Sequence, residues 1–368
     1  MIPRGRMRKW RALLRQLLSR LRGRPASDTV DVVIPVYRGM METRACLESV
    51  LASRARTPFE VIVIDDRSPE PEMAPWLAAL ASAGRIALVR HAENRGFVAS
   101  ANAGMARHPD RDVVLLNSDT EVAPGWLDRL AACARRDRAI GTPTPFSNNA
   151  TICSYPRTLV SNPIPPGEST ATLDAAFAAA NAGRCEDIVT AVGFCMYITR
   201  RCLDRVGRFD HERYGTGYGE EVDFSMRARR AGFRNVIAPD VFVHHVGEVS
   251  FAGVGADRRL KAQATVDALY PEFQRMLAKF LPADPLRGLR RRADLQRLRG
   301  TPSGLVRTQV GRLVMLAWER PGEEFRLWLD ADRDSAGLAA IERCVSQPAA
   351  PIPELEARWL AEPLESGN

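Results

Sequence analysis

The sequence contains no C-x-x-C pair, no long apolar run and no dinucleotide-binding glycine motif. Its seven cysteines are scattered singly, so neither a disulfide framework nor a zinc knuckle is indicated, and a reducing cytoplasm is the expected compartment. The longest apolar stretch, residues 188–198, is well short of the roughly 18–20 residues that a membrane-spanning helix needs. The first predicted strand runs into Pro35 and Tyr37 rather than into G-x-G-x-x-G, which argues against a nicotinamide-dependent dehydrogenase. A sugar nucleotidyltransferase should carry a glycine-rich loop with a basic residue at the same place, and none is present.

The net charge of +8 is concentrated at the amino terminus. Residues 1–30 hold nine Lys or Arg and a single acid, Asp28. A nucleic-acid-binding domain would spread basic residues over its folded surface, so no nucleic-acid partner is expected. Trp10 and five leucines recur at helical spacing among the arginines, which predicts a basic amphipathic helix over residues 1–27 rather than a signal peptide. This helix either anchors on an anionic membrane surface or docks on its own domain.

Beyond residue 30 the pattern indicates an α/β domain. Short apolar runs predict buried strands at residues 30–37, 59–64, 86–89 and 112–116, and helices are predicted at 40–53, 71–83 and 98–107. This alternation is typical of a mostly parallel sheet flanked by helices, whose ligands bind beyond the carboxyl ends of the strands. Residues 141–170 are rich in Pro, Ser, Thr and Asn and predict an extended loop, and a strand and helix follow at 188–206.

Polar residues follow the predicted strands where such a ligand would bind. Asp65 and Asp66 end the second strand, and on their own they could either bind a ligand or cap the next turn. The fourth strand ends in Asn117, Ser118 and Asp119. Mg²⁺ and Mn²⁺ take carboxylate oxygens and commonly share them with substrate phosphates, so a single carboxylate here is compatible with a metal-diphosphate site.

Two further clusters carry chemistry. The sequence GTGYGEEVD at residues 215–223 places three acids at the start of a predicted helix, which is more than helix capping needs. His244 and His245 close a strand-like run and are two of only five histidines. A histidine at a strand end after an acidic cluster is equally compatible with a metal ligand and with an ordinary hydrogen-bonded side chain.

Taken in order, these clusters resemble the family 2 inverting glycosyltransferases of bacterial polysaccharide synthesis. Six motifs carry the resemblance over about residues 30–255: DVVIPVYRG, VIVIDDRSPE, ENRGFVASANAG, LLNSDTEVAPGWL, GYGEEVDFSMRARRAGF and FVHHVGEVSF. It implies a GT-A fold with a Rossmann-like nucleotide-binding half, and transfer of a sugar from a nucleotide diphosphate.

The resemblance also implies roles for individual residues. The nucleotide sugar would be bound by Pro35, Tyr37, Asp65, Asp66, Asn94, Gly96, Asn102 and Asn117. Asp119 and His245 would hold Mn²⁺ or Mg²⁺. Glu221 would be the general base, supported by Glu220 and Asp223, because inversion needs one carboxylate on the acceptor side and one cation on the leaving-group side.

Two positions depart from the family pattern. Asn117 stands where many members have the first aspartate of Asp-x-Asp, a variant associated with rhamnosyl and related transferases, which implies dTDP-rhamnose or a UDP-sugar as donor. Arg67 replaces a common glycine. The expected acceptor is a glycan or lipid-linked glycan of the cell envelope, such as O-antigen, reached from the cytoplasmic side of the membrane. A catalytically idle sugar-nucleotide-binding or scaffold subunit is the alternative.

The carboxyl-terminal part shows no comparable chemistry. We predict a catalytic domain over residues 28–280, a basic linker or surface helix over 281–301, and a small extension over 302–368. Within that extension, strands are expected at residues 305–316 and 324–330 and a helix at 335–346.

Overall fold

The structure is a computed structural model that describes residues 27–215, 217–247, 256–299, 305–320, 323–332, 334–347 and 349–354. The basic helix predicted over residues 1–27 lies outside these ranges except for its last residue. Among the helices that the structure describes, none is long and apolar enough to cross a bilayer.

The first half of the chain alternates strands and helices as the apolar pattern predicts. The elements are β1 (Val30–Val36), α1 (Met40–Ala52), β2 (Phe59–Asp65), α2 (Met73–Ser82), β3 (Ala87–Arg90), α3 (Phe97–Met105), β4 (Asp112–Leu116), β5 (Thr120–Glu121), α4 (Trp126–Arg135) and β6 (Ile140–Phe146). A 3₁₀ turn at Thr151–Cys153 follows.

The second half adds helices and completes three smaller sheets. Its elements are α5 (Thr170–Asn181), β7 (Glu186–Asp187), β8 (Cys195–Ile198), α6 (Arg200–Val206), α7 (His211–Tyr214), α8 (Glu220–Arg230), β9 (Arg234–Phe242), β10 (His244–His245), α9 (Ala256–Leu269), α10 (Pro271–Ala283), α11 (Arg287–Leu298), β11 (Leu305–Val310), β12 (Leu313–Arg320), β13 (Glu323–Asp330) and α12 (Ser335–Ser346).

The central sheet has the strand order β3-β2-β1-β4-β8. Its first four strands are parallel, and β8 runs antiparallel to β4. Alternate residues of β1 face opposite layers: Val32 and Ile34 pack with helices α1, α2 and α4, whereas Val33 packs with α3, α6 and α8. The mostly parallel α/β sheet predicted from the sequence is therefore confirmed.

A close approach fixes α3 against this sheet. A Cβ added at Gly104 would lie 2.1 Å from the Val33 Cγ1, so only a glycine lets the helix backbone come this near to β1. This packing sets the amino end of α3, at Gly96 and Phe97, beside the carboxyl ends of β1 and β2.

The prediction of an extended loop over residues 141–170 is wrong at its start. There β6 is a fully buried strand in a second sheet of order β6-β9-β7. Pro143 and Pro145 make its sequence resemble a loop, but β6 is an edge strand of that sheet, where a missing backbone N–H is tolerated. The strand predicted near residue 188 begins only at Cys195.

Residues 281–301 are also different from the prediction of a linker or surface helix. They contain α11, which packs against α5, and three of its arginines, Arg290, Arg292 and Arg297, are buried. Leu286 and Leu289 belong to the same apolar core as β1. The boundary predicted at residue 280 therefore cuts through a packed unit, and the core continues into α11.

The extension beyond α11 is a small antiparallel sheet, β11-β12-β13, covered by α12. Leu295 and Leu298 of α11 pack into its apolar cluster, so α11 is shared between this sheet and the main core. The first predicted strand of the extension is a hairpin, because β11 and β12 are separated by a turn at Gly311, which has a φ of 59°.

Candidate functional site

A cavity of about 390 Å³ opens at the carboxyl edge of the central sheet, next to the ends of β1 and β4. Ten of the thirteen predicted site residues line it: Pro35, Tyr37, Asp66, Asn94, Gly96, Asn117, Asp119, Glu220, Glu221 and His245. Residues more than 200 positions apart in the chain thus meet around one space, which is large enough for part of a nucleotide sugar.

The side of the cavity near β2 is shaped by Asp66. One carboxylate oxygen of Asp66 accepts hydrogen bonds from the His91 Nδ1 (2.8 Å) and the Arg95 backbone N–H (2.8 Å), and the other accepts from the Gly96 N–H (2.7 Å). This buried carboxylate therefore ties the end of β2 to the loop that precedes α3. The loop in turn carries Asn94 and Gly96 into the cavity wall.

Two residues predicted to bind the nucleotide sugar lie outside that wall. Asp65 accepts hydrogen bonds from the Ser68 N–H and the Arg90 Nε, both at 3.0 Å. The Asn102 side chain donates to the Phe209 carbonyl (2.9 Å) and accepts from the Phe209 N–H (3.0 Å). Each holds a turn or a loop in place, and the structure gives neither of them a surface on the cavity.

The two predicted metal ligands are brought together by a two-residue bridge. β10 pairs antiparallel with β5, with His245 opposite Thr120. The His245 Nε2 lies 3.5 Å from the Asp119 Oδ1, and the other oxygen of Asp119 accepts from the Gly247 N–H at 2.9 Å. The Asn117 Nδ2 is also 3.5 Å from the His245 Nε2, so three polar side chains converge on this part of the wall.

Charge and burial shift the pKa values of Asp119 and His245 in opposite directions. Burial raises the pKa of Asp119, but the hydrogen bond and charge of His245 outweigh burial, and the net pKa is lowered. For His245, burial lowers the pKa, whereas Asp119 raises it and the net shift is upward. Asp119 is therefore a carboxylate at neutral pH.

These donors suit a divalent cation. A carboxylate oxygen and an imidazole nitrogen at 3.5 Å can bind one ion between them after a small adjustment, and both face a cavity that could admit phosphate oxygens. Such a mixed set is compatible with Mn²⁺ and, less well, with Mg²⁺. Asp119 and His245 are accordingly the residues that would hold the ion.

A second group with metal-ligand chemistry lies at the opposite, amino edge of the sheet, where Asp31, Glu60 and His108 come close together. The Arg111 Nη1 already bonds to Asp31 (3.0 Å) and to Glu60 (2.6 Å), and the His108 Nδ1 bonds to Asp31 (2.9 Å). Because a guanidinium occupies the centre of this cluster, we interpret it as an ion network that joins β1, β2 and β4.

The acidic motif lies at the start of α8 and contributes Glu220 and Glu221 to the cavity wall. Gly219, with a φ of 87°, precedes the helix, and Glu220 and Glu221 occupy its first turn. One carboxylate oxygen of each is buried without a protein hydrogen-bond partner. Burial raises the pKa of both carboxyls, and the charge of Glu221 raises that of Glu220 further, to well above its ordinary value.

Asp223 lies behind this pair rather than in the cavity. Its carboxylate accepts from the Tyr270 hydroxyl (2.6 Å) and the Arg227 Nε (2.8 Å), and it is 3% exposed. These contacts join α8 to the start of α10. Asp223 can therefore support the position of the helix but does not reach a ligand.

Several residues of the site were missed by sequence reasoning. The Phe194 ring stacks on the His245 imidazole, with the ring centroids 5.3 Å apart. A Cβ at Gly193 would lie 3.9 Å from the Glu221 Cβ, so the loop before β8 lies beside the acidic pair. Asn149 and Tyr218 also line the cavity. Only the Gly-Phe pair before a strand gives a local signal, because the others acquire their place through contacts distant in sequence.

The fold is that of the GT-A glycosyltransferases. A crystal structure of GalNAc-T7 with UDP, GalNAc and Mn²⁺ superimposes with a TM-score of 0.50 at 16% identity, covering 83% of this chain and 69% of that one. At this identity the likeness shows the fold alone.

Sequence comparison gives a match over part of the chain. The family model Glycosyl transferase family 2 matches residues 31–206. The protein y4gI of Sinorhizobium fredii is 26% identical over 231 residues, which is 59% of this chain and 24% of that protein. The succinoglycan biosynthesis protein ExoO of Rhizobium meliloti is 34% identical over 127 residues, 34% of this chain and 35% of that protein. The chain thus matches about a quarter and a third of the lengths of these relatives.

Proposed function

We propose that this protein is a metal-dependent inverting glycosyltransferase that moves a sugar from a nucleotide diphosphate to a hydroxyl of a glycan. The observation that supports it best is the meeting of two chemically distinct pairs in one cavity: Asp119 with His245, and Glu220 with Glu221. The first pair suits a cation at the leaving group, and the second suits a proton acceptor. Inverting transfer needs both.

In this proposal the donor occupies the part of the cavity near the strand ends. Pro35, at the end of β1, and Tyr37, just after it, would line the nucleobase pocket. Asn94 and Gly96 would contact the nucleotide or its sugar, and Asn117 lies beside the cation ligands. Asp66 shapes this wall through the loop that it holds. The resemblance to rhamnosyl transferases suggests dTDP-rhamnose, and the UDP found in GalNAc-T7 suggests a UDP-sugar.

Glu221 would accept the proton of the acceptor hydroxyl as that oxygen attacks the anomeric carbon. Glu220 would stay protonated beside it, because burial and the Glu221 charge raise the pKa of Glu220 well above its ordinary value. The bond to the donor diphosphate breaks on the face opposite the attack, and Asp119 and His245 would hold the Mn²⁺ or Mg²⁺ that neutralises the departing charge. Asp223 would keep α8 in position through Tyr270.

The name of one relative supports the proposed acceptor class. ExoO takes part in succinoglycan biosynthesis, which supports a polysaccharide or lipid-linked glycan as acceptor for this chain too. Such acceptors are assembled at the cytoplasmic face of the membrane. The basic segment 1–27 would hold the protein peripherally on that anionic surface, while the sugar transfer takes place in the cavity.

The function is tested by screening nucleotide sugars for Mn²⁺-dependent hydrolysis and transfer. Asp119→Ala should abolish metal dependence and activity, and Glu221→Gln should keep donor binding while turnover falls on the order of 10²-fold or more. Glu212→Gln, an exposed glutamate in α7, is the matched control and should behave as wild type. Donor binding without any turnover in the wild type would favour the idle binding subunit. Full activity after exhaustive chelation would contradict the metal assignment.

A further inference from the structure

The side chain of Asn148 is hydrogen-bonded to both backbone groups of His245. The His245 N–H donates to the Asn148 Oδ1 at 2.8 Å, and the Asn148 Nδ2 donates to the His245 carbonyl at 3.0 Å. This paired contact is what a neighbouring strand residue would make, but here one side-chain amide makes it. Because β10 has only two residues, Asn148 provides the support that a longer strand would otherwise have given to His245.

The residue after Asn148 orients the imidazole ring. The His245 Nδ1 donates to the Asn149 carbonyl at 2.6 Å. A carbonyl oxygen can only accept, so Nδ1 carries a proton and Nε2 is the nitrogen that remains to bind a cation. Nε2 is the nitrogen that faces the Asp119 Oδ1, which is the arrangement that a metal-binding histidine needs.

Asn148 itself is held by the loop of residues 147–162. Its Nδ2 also donates to the Asn162 carbonyl (3.2 Å), and the Asn162 Nδ2 returns a hydrogen bond to the Asn148 carbonyl (3.1 Å). Both amides are buried, at 6% and 3% exposure. A buried amide whose donors and acceptors are all used has one orientation, so the support that it gives to His245 is rigid.

The loop is attached at its far side to α11. The Tyr155 N–H donates to the Ser147 carbonyl at 2.8 Å, next to Asn148, and the Tyr155 hydroxyl donates to the Asp294 carboxylate at 2.7 Å. Asn148 is therefore connected, through its neighbour Ser147 and the two hydrogen bonds of Tyr155, to the helix in the segment that the sequence predicted as a linker or surface helix.

We propose that Asn148 is a positioning residue for metal binding, which holds the backbone of His245 so that the imidazole Nε2 faces Asp119 in the orientation that binds a divalent cation. The proposal rests on the proposed function, in which Asp119 and His245 are the metal ligands. Asn148 does not itself touch the cation or the sugar, so it should act on metal affinity and not on the chemical step.

The test measures Mn²⁺ affinity directly, by electron paramagnetic resonance of free Mn²⁺, in the full chain without substrate. Asn148→Ala should weaken binding by about 10- to 100-fold, the usual effect of removing a partner of a metal ligand. At saturating Mn²⁺ its kcat should recover towards wild type.

Asn181→Ala is the matched control for a purely structural loss. Asn181 is fully buried and its Nδ2 donates to two carbonyls, those of Pro239 (3.2 Å) and Leu289 (3.1 Å), away from the cavity. This variant should lower the melting temperature but leave Mn²⁺ affinity within about twofold of wild type, because it changes no partner of a metal ligand.

Asn148→Asp covers the case in which the alanine variant does not fold. It keeps the acceptor for the His245 N–H but places a carboxylate oxygen against the His245 carbonyl, so affinity should still fall on the order of 10-fold. Wild-type affinity in a folded Asn148 variant would overturn the positioning proposal while leaving the metal site intact. Failure of the wild-type protein to bind Mn²⁺ would instead overturn the metal assignment in the proposed function, and the positioning proposal with it.

Discussion

Arg67 has a left-handed backbone, with a φ of 61°, in the turn after β2. The related family sequences commonly have glycine there, and an L-residue in this conformation costs roughly 1–2 kcal/mol. Arg67→Gly should therefore raise the free energy of unfolding by about 0.5 kcal/mol, after the greater entropy of glycine in the unfolded chain is subtracted. Arg85→Gly, at an exposed residue without a positive φ, should instead lower stability in the same denaturant titration.

Glu220 links stability to pH with a definite sign. Its folded-state pKa is raised well above the ordinary 4.5 by burial and by Glu221, so folding favours the protonated acid. The stability that this gives is present below pH 4.5 and is lost as the pH rises towards the folded-state pKa. Glu220→Gln should therefore stabilise the protein increasingly as pH rises from 4.5 to 8 in chemical denaturation. Exposed Glu212→Gln is the control in the same titration, and a gain for Glu220→Gln that stays constant with pH would contradict the assignment.

Individual site residues were predictable to the extent that their position in the chain determines their position in space. Pro35, Tyr37 and Asp119 lie at or just beyond the carboxyl ends of β1 and β4, which share one edge of the sheet, and all three line the cavity. Asn102 and Asp223 belong to two of the same motifs but do not line the cavity. Their side chains instead bind other segments, Asn102 at Phe209 and Asp223 at Tyr270. The direction of a helical side chain depends on what the helix packs against, and a single sequence does not contain that contact.

The contact between α11 and the loop of residues 147–162 is a buried polar one. The Tyr155 hydroxyl donates to Asp294 and accepts from the Arg297 Nη1, both at 2.7 Å. Tyr155→Phe would leave the buried Asp294 without this donor and should cost about 1–3 kcal/mol of unfolding free energy. A double-mutant cycle with Asp294→Ala should show a coupling of about 0.5–3 kcal/mol in urea denaturation. Additive effects would show that the hydrogen bond contributes nothing.

Two elements were mispredicted for the same physical reason. The prolines of β6 and the arginines of α11 are typical of loops and of surfaces, respectively. In the structure Pro143 lies on an edge strand, and the Arg292 Nε is buried against the Ala180 carbonyl at 2.9 Å. Composition predicts the average environment of a residue, whereas a distant partner decides the actual one.

At the scale of the whole molecule, we expect the effect of a carboxyl-terminal truncation on stability to depend on whether α11 is retained. A chain ending at Arg299 keeps α11 and should unfold cooperatively. A chain ending at Asp284 loses the core contacts of Leu286 and Leu289, each contributing about 1.5–3 kcal/mol. Together with the lost Tyr155 contact this approaches a typical total stability of 5–15 kcal/mol, so we expect no cooperative transition. Circular dichroism melts of both chains test this, and equal melting temperatures would contradict it.

The order of the central sheet was not predictable from the strand pattern alone, although its parallel character was. The short apolar runs correctly indicate that β1, β2 and β4 are buried, although β3, at the edge of the sheet, is only partly so, and they do not say that β1 lies between β2 and β4. Nor does it indicate the antiparallel β8 beside β4, which brings Phe194 next to His245. These relations depend on the connections, and the tight packing of Gly104 on Val33 is one of the contacts that select them.

The bridge between β5 and β10 has a consequence for biosynthesis. Asp119 leaves the ribosome long before His245, and Asn148 emerges between them. Domains begin to fold from their amino ends at a synthesis rate of about 5–20 residues per second, so the strands around Asp119 can assemble roughly 6–25 s before the histidine exists. During that interval the nascent chain has the sheet edge of the cavity but only one of its two proposed metal ligands. Competence to bind the cation would then arise only once His245 has been made, after the proposed catalytic carboxylates of α8.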